Sequence, residues 1–114
     1  MSEKRRERIR RRTRQIRSAI DAMDLVASGT LLSRTKACGR PTCRCASDPS
    51  ARHGPYYEWN RLQEGHMVHS VISDEQAELV TRAIANYREI KRLLVLWEAE
   101  TTIDILDLDD PDEP

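Results

Sequence analysis

Four residues, Cys38, Cys43, Cys45 and His53, constrain this chain more than any others. They read C-x4-C-x-C-x7-H and include all three cysteines of the 114 residues. Three thiols and an imidazole within one short loop form a complete tetrahedral donor set for Zn2+. Arg40 and Arg44 flank the thiols, and their charge favours the thiolate form that a metal needs. Four protein ligands leave no open coordination position, so the predicted Zn2+ is structural rather than catalytic. A redox pair at Cys43 and Cys45 is the competing reading. His66 and His69 are alternatives to His53 as the fourth ligand.

A chain of this length makes one domain with tails, and it has little with which to fill a core. There are three Tyr, two Trp and no Phe, while 33% of residues are charged. A metal staple is the usual remedy for so small a core. The longest apolar run, Leu93 to Trp97, is far below membrane-spanning length. The basic start lacks the apolar stretch of a secretory leader, so a reduced, cytoplasmic setting and no membrane partner are expected.

Net charge is zero, yet it is divided. Residues 1–54 hold fourteen Lys/Arg against five Asp/Glu, and residues 55–114 hold five against fourteen. Such asymmetry predicts an anionic partner or pairing of the two ends.

The expected organisation is an Arg-rich helix in 1–29, a knuckle and hairpin module in 30–73, a helix in 74–100 and an acidic disordered tail in 101–114. Ile9, Thr13, Ile16, Ile20, Met23 and Ala27 step by four and three, which predicts a helix over 3–27. Residues 30–36 read as a short strand, and 56–62 and 66–72 as strands around a Gln63-Glu64-Gly65 turn. Ser73-x-x-Gln76 fits a capping box, and Val80, Ala83, Tyr87, Ile90, Leu94 and Trp97 predict one seam along the second helix. The fold class is therefore α+β: two long antiparallel helices flanking a zinc-stabilised module of up to three strands. Antiparallel pairing sets Ile9 near Leu93–Trp97. Leu93, Val95, Leu96 and Trp97 then exceed what one helix of Arg stems can cover, which predicts a homodimer or a protein partner there.

CGRPTCRC followed by RHGPYY, a hairpin and a helix resembles a small family of uncharacterised bacterial and archaeal proteins. The matching pieces are Gly29-Thr30-Leu31, Arg34, Cys38-Gly39, Cys43-Arg44-Cys45, His53-Gly54-Pro55-Tyr56-Tyr57 and Asn86-Tyr87, across roughly residues 20–97. Gly65-His66 stands where many relatives have Gly-Lys. The Arg-rich start and acidic tail look peculiar to this chain. The resemblance implies the architecture and an association with transposons or phage-like elements, without implying an activity.

For function, the residues favour nucleic acid, DNA over RNA. The predicted contacts are Arg5, Arg8, Arg12, Arg34, Lys36, Arg40, Arg44 and Arg52 for phosphates, with Tyr57 and Trp59 as stacking rings. The alternative is a dimeric protein–protein adaptor whose zinc is purely structural. An enzyme is not expected, since no paired carboxylates, nucleophile elbow or phosphate-binding glycine loop is present.

Overall fold

A computed structural model describes residues 3–108 and shows two helices and a three-stranded antiparallel sheet. The order is α1 (Glu3–Asp21), β1 (Thr30–Lys36), β2 (His53–Gln63), β3 (His66–Ile72) and α2 (Asp74–Leu106). The fold is α+β, as the periodicities predict. The chain divides into two compact units. One gathers α1, the chain up to Val26 and α2 from Ala85; the other is Ala27–Ile84.

In the first unit the helices run antiparallel. Arg5 reaches Asp107 at 3.1 Å and Arg12 reaches Glu100 at 2.8 Å. Asn86 Nδ2 donates to the Leu25 carbonyl at 2.8 Å. Ile9, Ile16 and Leu93 are the buried apolar side chains of this unit. Ile16, not Ile9, shares a groove with Leu93 and Leu96, because the ion pairs set a different register from the one hydrophobicity suggests.

α1 ends at Asp21, six residues short of the expected 27. The backbone beyond it finds partners elsewhere: Leu25 carbonyl with Asn86, Ala27 N–H with the Ala83 carbonyl at 3.2 Å, and Ser28 carbonyl with the Trp59 indole. Met23 and Ala27 are still half-buried, but on non-helical backbone. Apolar spacing alone cannot distinguish these two outcomes. α2 errs in the other direction and continues to Leu106, so 101–106 is helix rather than tail. Its acidic residues bind α1: Glu100 and Asp107 both lie on the line that faces the arginines. The rest of the expected tail, 109–114, lies outside the described residues.

The second unit is a meander in the order β1-β2-β3. Glu64 and Gly65 turn β2 into β3 with φ of 51° and 82°, the two positive values of a type I′ hairpin. Register sorts the side chains. Tyr57, Trp59 and Arg61 share a face with Val68, Ser70 and Ile72, and Tyr56, Glu58 and Asn60 share the other with Met67, His69 and Val71. Val68, Ser70 and Ile72 are half-buried, whereas Met67, His69 and Val71 are exposed. The first face is thus the covered one, and it supplies the core together with the buried Ala77, Val80, Ala83 and Ile84 of α2.

The predicted capping box opens α2. Gln76 N–H donates to Ser73 Oγ at 3.1 Å, and Ser73 N–H donates to Gln76 Oε1 at 2.9 Å. Ser73→Ala should cost about 1 kcal/mol, seen as a lower urea midpoint at unchanged slope. An unchanged midpoint would mean that the box contributes nothing.

Candidate metal centre

The β1–β2 connection carries the ligands. Lys36 and His53 are register partners at the open end of this strand pair, after an irregularity between Arg34 and Lys36. Cys38 leaves β1 and His53 opens β2, so the sheet itself sets these two donors side by side. Gly54 has φ 110°, and a Cβ there would stand 2.9 Å from the Arg34 carbonyl. Only glycine lets the chain pass this close behind His53.

The other two donors come from tight turns. Cys43 N–H donates to the Arg40 carbonyl at 3.1 Å, and a 3-10 turn, Arg44–Ala46, carries Cys45 inward. Asp48 secures the next turn by accepting from Ser50 N–H at 3.0 Å and Ser50 Oγ–H at 2.7 Å. Those bonds, with the Arg44 guanidinium at 3.3 Å, hold the Asp48 carboxyl below its ordinary pKa.

The four donor atoms lie within 4.8 Å of one another. Cys38 Sγ is 3.5 Å from Cys45 Sγ, and Cys43 Sγ is 3.4 Å from His53 Nε2. Metal–ligand distances of about 2.0–2.3 Å give tetrahedral edges of about 3.5–3.8 Å, so the cluster matches an ion such as zinc in size and chemistry. Cys38 N–H points at Cys45 Sγ at 3.3 Å, an amide aimed at a sulfur that carries negative charge when ligated.

Thiol acidity tells the same story. The Cys43 pKa is lowered, first by the Cys45 backbone N–H and then by the Cys45 and Cys38 side chains. At Cys45 the Cys38 backbone N–H also lowers the pKa, but burial and the neighbouring sulfurs raise it overall. One thiolate in this cluster suppresses the next, and a divalent cation removes that conflict.

Cys45 is buried, Cys43 half-buried, and Cys38 and His53 exposed, so the centre lies close to the surface. Arg40 and Thr42 line a shallow cleft with Cys38, Cys43 and His53. The rival histidines are elsewhere. His66 pairs with Gln63 at the hairpin end, and His69 Nδ1 contacts Asn60 Oδ1 at 2.5 Å and Glu58 at 3.5 Å.

The predicted nucleic-acid contacts divide. Lys36, Arg40 and Arg52 are exposed, and no ion pair involves them among the described residues. Arg34 and Arg44 pair with Glu58 at 3.8 Å and Asp48 at 3.3 Å, yet remain 52% and 80% exposed. Arg8 is exposed, whereas Arg5 and Arg12 hold the helix pair together. Tyr57 and Trp59 point to the covered sheet face. The Trp59 indole N–H donates to the Ser28 carbonyl at 3.0 Å, and the Arg61 guanidinium lies 4.2 Å from the ring centroid. Trp59 is therefore a packing residue rather than a free stacking ring.

Of the predicted interface, Leu93 is buried within its own chain, Val95 and Leu96 are exposed, and Trp97 is half-buried. Sequence reasoning also missed a polar cluster on the open sheet face, where Arg34, Glu58, Asn60 and His69 come from three strands. Cross-strand register creates it, and the only linear signal would have been the pairing itself.

The profile described as Domain of unknown function (DUF6788) matches residues 6–81. The matched span takes in the knuckle, the sheet and most of the Arg-rich helix. No curated protein and no solved structure matches.

Proposed function

The chain belongs to the DUF6788 family, whose function is unknown, so its role rests on its own residues, and we propose a zinc-stabilised nucleic-acid-binding protein, with DNA the preferred partner. The observation that carries this reading is the exposed basic set around the metal centre. Lys36, Arg40 and Arg52 surround it, and residues 34–54 hold five Lys/Arg against the single acid Asp48. Three thiolates with Zn2+ sum to a charge of only −1, so the loaded module stays positive. Phosphate is the natural counter-charge for such a surface.

This reading is non-enzymatic: the chain's three thiols lie in the candidate metal centre, and four donors there would close the coordination shell. No helix among the described residues is long and apolar enough to cross a membrane. The family resemblance read from the sequence extends the proposal to service for a transposon or phage-like element.

Fluorescence anisotropy on metal-loaded protein with random-sequence duplex DNA and RNA tests the reading. Affinity should fall as salt rises, with a log–log slope near 0.9 per phosphate neutralised. Reversing Lys36, Arg40 and Arg52 to glutamate should flatten the slope by about 0.9 for each phosphate no longer neutralised. Absence of binding at low salt would overturn the proposal.

A further inference from the structure

Within the first unit, α2 carries two lines of residues. Leu93, Glu100 and Asp107, the last just past the helix end, recur every seven positions and face α1 through a buried leucine and two ion pairs, while Asn86, seven before Leu93, donates to the Leu25 carbonyl beyond the end of α1. Tyr87, Ile90, Leu94, Trp97, Thr101 and Ile105 form the second line, with steps of three and four. That spacing is the signature of a knobs-into-holes seam. The described chain leaves it partly open: Tyr87 is 36% exposed with the Lys91 ammonium 5.3 Å from its ring centroid, Leu94 is 42% and Ile105 64% exposed, and Ile90 and Trp97 are half-buried.

We propose that this stripe is the seam of a homodimer, with α2 of a second copy running antiparallel along it. Charge selects both the occupant and its direction. Arg88, Lys91 and Arg92 stand at the start of this segment, and Glu98, Glu100, Asp104 and Asp107 towards its end. A parallel copy stacks like charges, whereas an antiparallel copy sets the basic end against the acidic end. Arg92 is engaged by Glu89, and Glu100 and Asp107 by α1. Lys91 and Glu98 flank the stripe and lie seven residues apart, hence on the same side of it. A twofold axis beside Leu94 and Trp97 brings Lys91 of each copy next to Glu98 of the other. The same axis layers Leu94 on Trp97 and Ile90 on Thr101, each contact occurring twice. From Tyr87 to Ile105 the stripe is about 27 Å long at 1.5 Å per residue, enough for a multi-layer seam. It also explains why α1 leaves so much of α2 bare: Glu100 and Asp107 fix the register of the α1-facing side, while the apolar line is kept for the second copy. The stripe lies beyond the span matched by the family profile, and the proposal is independent of the nucleic-acid reading.

Sedimentation equilibrium of the full, metal-loaded chain tests it. The wild type should sediment at twice the chain mass. Leu94→Glu should raise the dimer dissociation constant by more than about 100-fold, since two buried leucines are lost per dimer and two charges enter the seam. Leu94→Ala keeps helix propensity and should weaken the dimer about tenfold or more. Val95→Glu alters a residue that is 64% exposed and off the stripe, so the dimer should persist. Lys91→Glu should weaken association, and adding Glu98→Lys should restore it. A single-chain mass for the wild type at its highest soluble concentration overturns the proposal. So does equal dissociation by Val95→Glu and Leu94→Glu, or failure of the double charge swap to restore the dimer.

Discussion

Cys45→Ser protein is expected to lose its zinc and, with it, the ordered structure between β1 and β2. Cys45 is the buried donor of the four, its sulfur lies 3.5 Å from that of Cys38, and it accepts from the Cys38 backbone. A serine oxygen is a poor replacement for a thiolate at a zinc site built on soft ligands. Metal binding in small zinc modules supplies on the order of 10–16 kcal/mol, and bound zinc would be the main source of order for residues 37–52, where Cys45 is the only buried side chain. Metal analysis of purified protein should give one zinc per wild-type chain and far less for the variant. Amide exchange across 37–52 should accelerate by orders of magnitude, while the α1–α2 pair keeps its protection. Full zinc occupancy in Cys45→Ser would refute the ligand assignment. Acid should release the metal from the wild type, because protons compete for three thiolates and an imidazole.

Gly29→Ala should be among the most damaging single-methyl additions available to this fold. Gly29 has φ +108°, and a Cβ there would fall 2.3 Å from the Asn60 carbonyl oxygen and 3.0 Å from both Arg61 Cβ and Trp59 Nε1. The crowded oxygen is backbone of the central strand, and Asn60 is the register partner of Thr30, the next residue. It cannot retreat without opening the β1–β2 ladder, and the Trp59 indole is already committed to the Ser28 carbonyl. Left-handed backbone cost and steric overlap together suggest a loss of about 3–5 kcal/mol. Gly39→Ala is the matched control: φ is +82°, yet nothing lies within 4 Å of its added Cβ, so about 1–2 kcal/mol is expected. Urea-derived unfolding free energies of the two variants within about 1 kcal/mol of each other would show that the packing around Gly29 yields more readily than its geometry implies.

Local signals in this sequence were strong where the chemistry is local. The ligand set was legible because its four members lie close in the chain and belong to residue types with few other reasons to gather. The capping box was equally legible, since Ser73 and Gln76 satisfy each other's backbone three residues apart. The three strands and their hairpin followed from alternation around Gln63-Glu64-Gly65, of which Glu64 and Gly65 form the turn. Two helix ends did not. α1 stops at Asp21 because later backbone groups bond to α2 and to Trp59, and α2 passes residue 100 because Glu100 and Asp107 bind Arg12 and Arg5. Both outcomes depend on partners distant in sequence.

The seam of α2 shows the same division most clearly. Hydrophobic spacing picked out Tyr87, Ile90, Leu94 and Trp97 as an apolar line, yet α1 docks on another side, where its arginines pair with Glu100 and Asp107 and Ile16 shares a groove with Leu93 and Leu96. A search for apolar periodicity cannot find an interface held as much by two acids as by two leucines. The aromatic residues of β2 make a parallel case. Their proximity to the basic knuckle was visible in the sequence, but strand alternation turned Trp59 inward to meet Ser28 and Arg61.

What the chain determined on its own is thus its candidate metal donors, most of its elements and its charge, because each depends on residue types at short spacing. Tertiary structure decided which faces are used. It placed His53 rather than His66 or His69 with the thiols, drew Arg5 and Arg12 into ion pairs and left Lys36, Arg40 and Arg52 exposed at the surface. It also buried Leu93 and left Leu94 bare. The physical reason is that pairing and burial are settled by strand register and helix register, which bring together residues tens of positions apart.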